Sequence, residues 1–197
     1  MIEHAATVTI VKIGGSLFDL PGLAQRLLKW LEGQPAGWHV LVAGGGELAE
    51  AIRRADELHE LGEEASHWLC VDVLSVTARL LATILADVPY VATFGELTEL
   101  LQSSETPGPL VFNPHDFLHE HEPQLPGDAL PRDWSVTSDS IAARLAVCLA
   151  ADELVLFKSA RPPAGNSFHD LAAQGYVDGH FPIVGRGVRS VRFVNPS

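Results

Sequence analysis

Lys12-Ile13-Gly14-Gly15-Ser16 follows the β-branched run Val8-Thr9-Ile10-Val11. A strand that ends in a lysine and two glycines brings bare backbone N–H groups and one cation to a single point. Glycine permits that close approach, and positive φ, without steric penalty. With a helix N-terminus behind it, such a turn suits an anion, phosphate above all. The pattern recurs at Gly44-Gly45-Gly46, behind His39-Val40-Leu41-Val42-Ala43 and ahead of another helix-like stretch. One glycine turn reads equally well as a plain strand end; the recurrence tips the reading toward a ligand.

Two more residues could join that chemistry. In Trp134-Ser135-Val136-Thr137-Ser138-Asp139-Ser140-Ile141, Thr137 or Ser138 suits a helix cap and leaves Asp139 in the first turn. The plain reading is a capped helix whose aspartate complements the macrodipole; the functional one requires Asp139 to face lysines. Lys158 closes the strand-like run Leu154-Val155-Leu156-Phe157, where a lysine either snorkels to solvent or points into a site.

The elements that must position these residues alternate along the chain. Periodicity predicts strands at 7–13, 39–43, 89–92, 110–112, 155–157 and 191–194. It predicts helices at 22–31, 47–58, 63–86 and 137–151, with a helical turn at 96–101 and a helix start at Asn113-Pro114. In the second helix, Leu48, Ala51, Ile52 and Ala55 form the apolar side. Residues 119–136, broken by Pro123, Pro126, Gly127 and Pro131, read as a long loop of the kind that covers a site. Repeated β-α units imply an α/β fold, a three-layer αβα sandwich on a mostly parallel sheet, in one domain over 1–197. Ligands in such sheets bind at the carboxyl ends of the strands, where both glycine clusters fall.

Composition narrows the partners. The 197 residues are 47% hydrophobic and 19% charged, with a net charge of −12 and no basic run, which argues against nucleic acid and anionic membranes. An anionic small molecule would be held by a few local cations such as Lys12 and Lys158. Cys70 and Cys148 lie in helix-like apolar segments and read as buried thiols of a reducing compartment. No leader-like N-terminus and no apolar run of membrane length is read, so the expected location is cytoplasmic.

Taken together, K-x-G-G-S at Lys12–Ser16, the triple glycine at 44–46, T-S-D-S-I-A-A-x-L-A at Thr137–Ala146 and the strand ending Lys158-Ser159-Ala160 resemble the amino-acid kinase family over residues 7–159. W-x-V-T-S-D-S-I-A and the short length look most like its branch of small [5-(aminomethyl)furan-3-yl]methyl phosphate kinases of methanofuran-type cofactor synthesis. The resemblance implies an ATP- and Mg²⁺-dependent kinase, with Lys12 on the transferring phosphoryl group, Lys158 on the nucleotide side and Asp139 anchoring both. It implies ATP contacts at Gly14, Gly15, Ser16, Ser159 and Arg161. It places the acceptor near Gly44, Gly45 and Gly46, with Trp134, Thr137 and Ser138 beside it, and it implies a homodimer or larger homo-oligomer. No dedicated protein metal site is expected, since Mg²⁺ arrives bound to phosphate oxygens and water.

No general base stands beside the glycines, which favours an acceptor already ionised at neutral pH, a phosphate monoester or a carboxylate. The remaining alternative is a nucleotide- or anion-binding protein without turnover. After Lys158 the chain departs from the family: Arg161-Pro162-Pro163-Ala164-Gly165-Asn166 replaces an aspartate-glycine turn and a glycine-rich, lysine-bearing segment, leaving Arg161 as the available cation. His115, His119 and His121 have metal-like spacing, yet read better as a solvated, histidine-rich segment without a rigid frame.

Overall fold

The computed structural model describes residues 6–164 and 167–196, so Gly165 and Asn166 of the proline-rich turn lie outside it. Strands β1 (Val8–Ile13), β2 (Trp38–Ala43), β3 (Tyr90–Val91), β4 (Pro109–Phe112), β5 (Glu153–Phe157) and β6 (Val191–Val194) form one sheet in the order β3-β4-β2-β1-β5-β6. Every neighbouring pair is parallel. A parallel sheet is covered on both faces, which is why β1, β2 and β5 read as near-continuous apolar runs.

The pleat sorts those runs into two cores. Val8, Ile10, Val40, Val42, Leu154 and Leu156 pack with Ile141 and Leu145 of α5 (Ser138–Cys148). Val11, Ile13, Leu41, Val155 and Phe157 face the other way, onto Leu23 and Leu27 of α1 (Leu23–Glu32) and Leu81 and Leu85 of α3 (Glu63–Leu85). By the same alternation Lys12 and Lys158 share the α5 face. Lys12 pairs in register with Leu156, two residues short of Lys158, and the Lys158 N–H still donates to Val194 at 2.8 Å.

Several elements differ from the sequence expectation. Helix α2 (Gly46–His59) has no buried residue, and Leu48 is exposed, so its apolar side is not part of the core. Helix α3 is, by length and composition, the one helix among the described residues able to cross a membrane, contrary to the expectation that no run reaches that length. Here its Val71, Leu74, Ala78, Leu81 and Leu85 are buried against the sheet. The short helical turn expected at 96–101 is α4 (Phe94–Gln102), extended by a capping box between Thr93 and Glu96. The tail holds two further helices, α6 (Phe168–Ala173) and α7 (Phe181–Val184).

The proline-rich stretch is ordered from within. A π-helical turn, Phe117–His121, leads into a 3-10 turn, Glu122–Gln124. Arg144 of α5 then reaches under the loop: Nε pairs with Glu122 Oε1 at 2.8 Å, Nη1 donates to the Pro126 carbonyl at 2.9 Å and Nη2 to Leu125 at 3.2 Å. Glu122 Oε1 also accepts the Leu130 N–H at 3.1 Å. Gly127, at φ +98°, lies so near that a β-carbon would come within 3.0 Å of Arg144 Nη1.

Candidate active site

The two glycine clusters are needed for each other. The turn after β1 meets the turn after β2 backbone to backbone: a β-carbon on Gly15 would fall 2.1 Å from the Gly46 nitrogen, and one on Gly46, at φ +57°, 2.8 Å from the Gly15 carbonyl. Gly44 is buried against the Gly15 nitrogen and Ser138 Oγ. Gly14 donates to the Phe157 carbonyl at 2.8 Å, and Ser16 Oγ meets Ser159 Oγ at 2.8 Å. The ends of β2, β1 and β5 are thus drawn into one continuous rim.

Asp139 bridges the two lysines across that rim. Its Oδ1 lies 2.9 Å from Lys12 Nζ and its Oδ2 accepts from Lys158 Nζ at 2.7 Å. The carboxylate and Lys12 are almost fully buried, with side-chain exposures of 5% and 7%. Burial pushes the Asp139 carboxyl up, but the Lys12 and Lys158 ammonium groups overcome it and hold the group below its ordinary range. Burial lowers the Lys158 ammonium, and Lys12 beside it lowers it further against the pull of Asp139. Lys158 also donates to the Tyr176 carbonyl and stands 5.0 Å from the centre of the Tyr176 ring. An ammonium has three N–H donors. Lys12 therefore keeps two directions, and Lys158 one, for a further oxygen-rich anion.

Sequence reasoning identified the cap of α5 only in part. Thr137 Oγ1 accepts from the Asp139 N–H at a long 3.5 Å. The stronger partner is Asp178: its Oδ2 accepts from Thr137 N at 2.9 Å, Thr137 Oγ1 at 2.8 Å and Ser140 N at 3.0 Å, and its Oδ1 from Phe181 N at 2.9 Å. Asp178 so ties the tail, and with it the Tyr176 carbonyl on Lys158, to the helix that carries Asp139. A lone aspartate in a turn-rich tail gives no local sign of this.

A cavity of about 320 Å³ opens between the glycine turns, α2, α3 and the start of α5. Of the expected residues, Lys12, Gly15, Ser16, Gly45, Gly46, Trp134, Thr137 and Ser138 line it; Gly14, Gly44, Asp139, Lys158, Ser159 and Arg161 do not. Arg161 is exposed. Trp134 is fixed as a wall: its Nε1 donates to Asp56 Oδ2 at 2.8 Å, and the Arg53 guanidinium sits 4.2 Å from the ring centre. Asp19, Glu50, Arg53 and His67 also face the cavity and were not foreseen. Glu47, a carboxylate suited to an amine on the substrate, also lines it. Cys70 lines it as well, and burial pushes its thiol up.

His115, His119 and His121 are each engaged by a neighbour. His115 Nε2 lies 3.1 Å from Asp72 Oδ1 and His121 Nε2 3.3 Å from Asp116 Oδ2, while the His119 ring stacks on Trp68 at 3.9 Å. No cluster of three or more His, Cys, Asp or Glu able to hold a metal occurs among the described residues.

The family model for the amino acid kinase family matches residues 7–161. A [5-(aminomethyl)furan-3-yl]methyl phosphate kinase from Methanocaldococcus jannaschii is 25% identical over 186 residues, covering 89% of this chain and 81% of the relative. Among solved structures, uridylate kinase from Archaeoglobus fulgidus aligns with a TM-score of 0.60 at 17% identity, covering 95% of this chain and 91% of its own. UMP kinase from Bacillus anthracis aligns at 0.63 and 11% identity, covering 97% and 88%.

Proposed function

Since the chain belongs to the amino acid kinase family, we propose that it transfers the γ-phosphoryl group of ATP to a small phosphate monoester, giving a diphosphate. The observation that carries this reading is the Asp139 bridge: two ammonium groups from separate strand ends, held by one carboxylate, with N–H donors to spare at the edge of a cavity. Phosphoryl transfer is largely positioning and charge stabilisation, and fixed cations are the parts it requires.

In this reading ATP, carrying Mg²⁺ on its phosphates, supplies the phosphoryl group. An acceptor oxygen forms the new P–O bond as the bond to the β-phosphate breaks. A phosphate monoester is ionised at neutral pH, so no proton has to leave and no general base is needed. Lys12, which lines the cavity, steadies the group in transfer, and Lys158 lies on the nucleotide side. Asp139 removes their freedom, since a mobile lysine loses catalytic value to its own entropy. Gly14, Gly15, Ser16 and Ser159 border the nucleotide phosphates, with Arg161 as an outer cation. Gly44, Gly45 and Gly46 shape the acceptor side, beside Trp134, Thr137 and Ser138. Asp19, Glu47 and Glu50 at the same cavity suit a positive group at the far end of the acceptor, as an aminomethylfuran-methyl phosphate would have. The M. jannaschii relative supports that acceptor class.

ADP release measured over a panel of phosphorylated and carboxylated metabolites tests the reading. Turnover with a phosphate monoester and no hydroxylamine-trappable acyl phosphate is expected. ATP that raises the melting temperature while no acceptor yields ADP would favour a binding protein without turnover. We read the molecule further as a cytoplasmic homodimer. The exposed stripe Leu69, Val76, Leu80 and Ile84 along α3 would form the contact, and sedimentation at one protomer mass would refute it.

A further inference from the structure

His67 brings an imidazole to the cavity. It comes from the N-terminal part of α3, not from the strand ends that carry Lys12, and it is only 8% exposed while lining the cavity. Among the described residues no hydrogen bond or ion pair reaches its imidazole, and its nitrogens are not among the sealed, unpartnered atoms, so they stay open to the cavity. Asp133, Trp134 and Thr137 around the same cavity all have partners within the chain. A polar group that the chain leaves open in this way can be completed by a ligand or by water.

The ring is also held in place. Trp68 lies edge-on to it, with ring centres 5.1 Å apart and planes at 80°. Trp68 is itself fixed between the His119 ring at 3.9 Å and the Arg132 guanidinium at 4.9 Å. Burial, reinforced by Arg132, lowers the imidazole's affinity for a proton, so it faces the cavity neutral, with one N–H donor and one acceptor nitrogen. Val71, Leu74, Val136 and Ile141 give the cavity an apolar wall, while Asp19, Glu47, Glu50 and Asp133 supply its carboxylates. A compact apolar body with a single uncharged polar atom fits such a wall.

We propose that His67 is a specificity-determining residue of the acceptor site, donating a hydrogen bond to an uncharged ring or ether oxygen in the body of the acceptor. This rests on the acceptor reading above and narrows it, from any phosphate monoester to one with an oxygen-bearing body. The phosphate lies toward Lys12 and the oxygen toward α3.

The test compares [5-(aminomethyl)furan-3-yl]methyl phosphate with its thiophene analogue, in which sulfur, a weak acceptor, replaces the ring oxygen. The unmodified protein is expected to prefer the furan by about threefold in kcat/KM, the low end of the worth of one hydrogen bond, because the furan oxygen shares a lone pair with its ring. His67→Phe should erase that preference by raising KM for the furan at nearly unchanged kcat, and His67→Gln, which keeps an N–H donor, should restore part of it. If the Phe variant does not fold, the Gln variant and the ¹⁵N signals of the His67 imidazole on titration with the furan phosphate carry the comparison. Binding should fix one tautomer. An equal preference in the unmodified and variant proteins, or imidazole signals unmoved by a substrate that turns over, would overturn the proposal. So would a collapse of kcat at constant KM, which would make His67 a proton-transfer group. Absence of turnover of both compounds by the unmodified protein would sink the acceptor reading itself, and this inference with it.

Discussion

Helix α5 carries two buried charges, and they do opposite things. Arg144 closes a network: each of its guanidinium nitrogens finds an oxygen, and its charge is matched by Glu122. Asp139 leaves a network open: one carboxylate serves two ammonium groups, so positive charge and N–H donors remain at the edge of the cavity. Both charges of α5 are buried, so burial does not separate them. The difference lies in the balance of charge and donors. A satisfied network fixes the proline-rich loop, whereas an unsatisfied one needs a ligand to complete it.

Breaking each network should therefore harm a different property. The largest effect is expected from Arg144→Met, which strands Glu122 and the loop carbonyls; losing one partner of a buried pair costs roughly 3–5 kcal/mol. Chemical denaturation should register that loss, while turnover per folded molecule stays close to normal. A pair replacement, Arg144→Met with Glu122→Leu, should recover part of the stability. Lys12→Met is the converse. It should lower kcat by on the order of 10²–10³-fold, as removal of one stabilising donor does, with a melting temperature near that of the unmodified protein because Lys158 still pairs with Asp139. A variant that unfolds while its folded fraction remains fully active would reverse the assignment of the two networks.

Smaller changes sharpen the contrast. Asp178→Ala removes the carboxylate that backs the Thr137 cap of α5 and should cost about 1–2 kcal/mol, accompanied by a fall in kcat as the Tyr176 carbonyl drifts from Lys158. The open network should also respond to pH at both ends. The Asp139 carboxyl lies below its unfolded value, so its contribution to stability is present above the ordinary carboxylate range and fades as pH falls through the folded value. Denaturation followed into the acid range should show that slope, and Asp139→Asn should flatten it. Lys158 lies below the ordinary lysine value, so kcat should fall on the alkaline side earlier than for an exposed lysine. Lys158→Arg, charged throughout, should lower kcat yet remove that alkaline fall.

The same contrast explains what the sequence made legible. Lys12, Lys158, Asp139 and the glycine turns are announced by local context: strand ends, a helix first turn, and backbone contacts that only glycine allows. The alternation of strands and helices gave the α/β architecture for similar reasons. Asp178, Tyr176 and His67 act through packing between segments distant in the chain, and no spacing rule marks them. Glu122 and Arg144 were hidden differently. The prolines around Glu122 suggested a loop without a frame, whereas the frame is a side chain arriving from α5. The apolar side of α2 was legible as a face, but helical periodicity does not report what covers it, and no residue of α2 is buried.

The most direct test of the central claim follows the phosphorus itself. ³¹P NMR of the protein with ATP, Mg²⁺ and [5-(aminomethyl)furan-3-yl]methyl phosphate should show ADP and a diphosphate monoester growing together, one for one, and neither with the Lys12→Met variant. ATP and acceptor left intact by the folded, unmodified protein, or a product that forms equally without Lys12, would contradict the account.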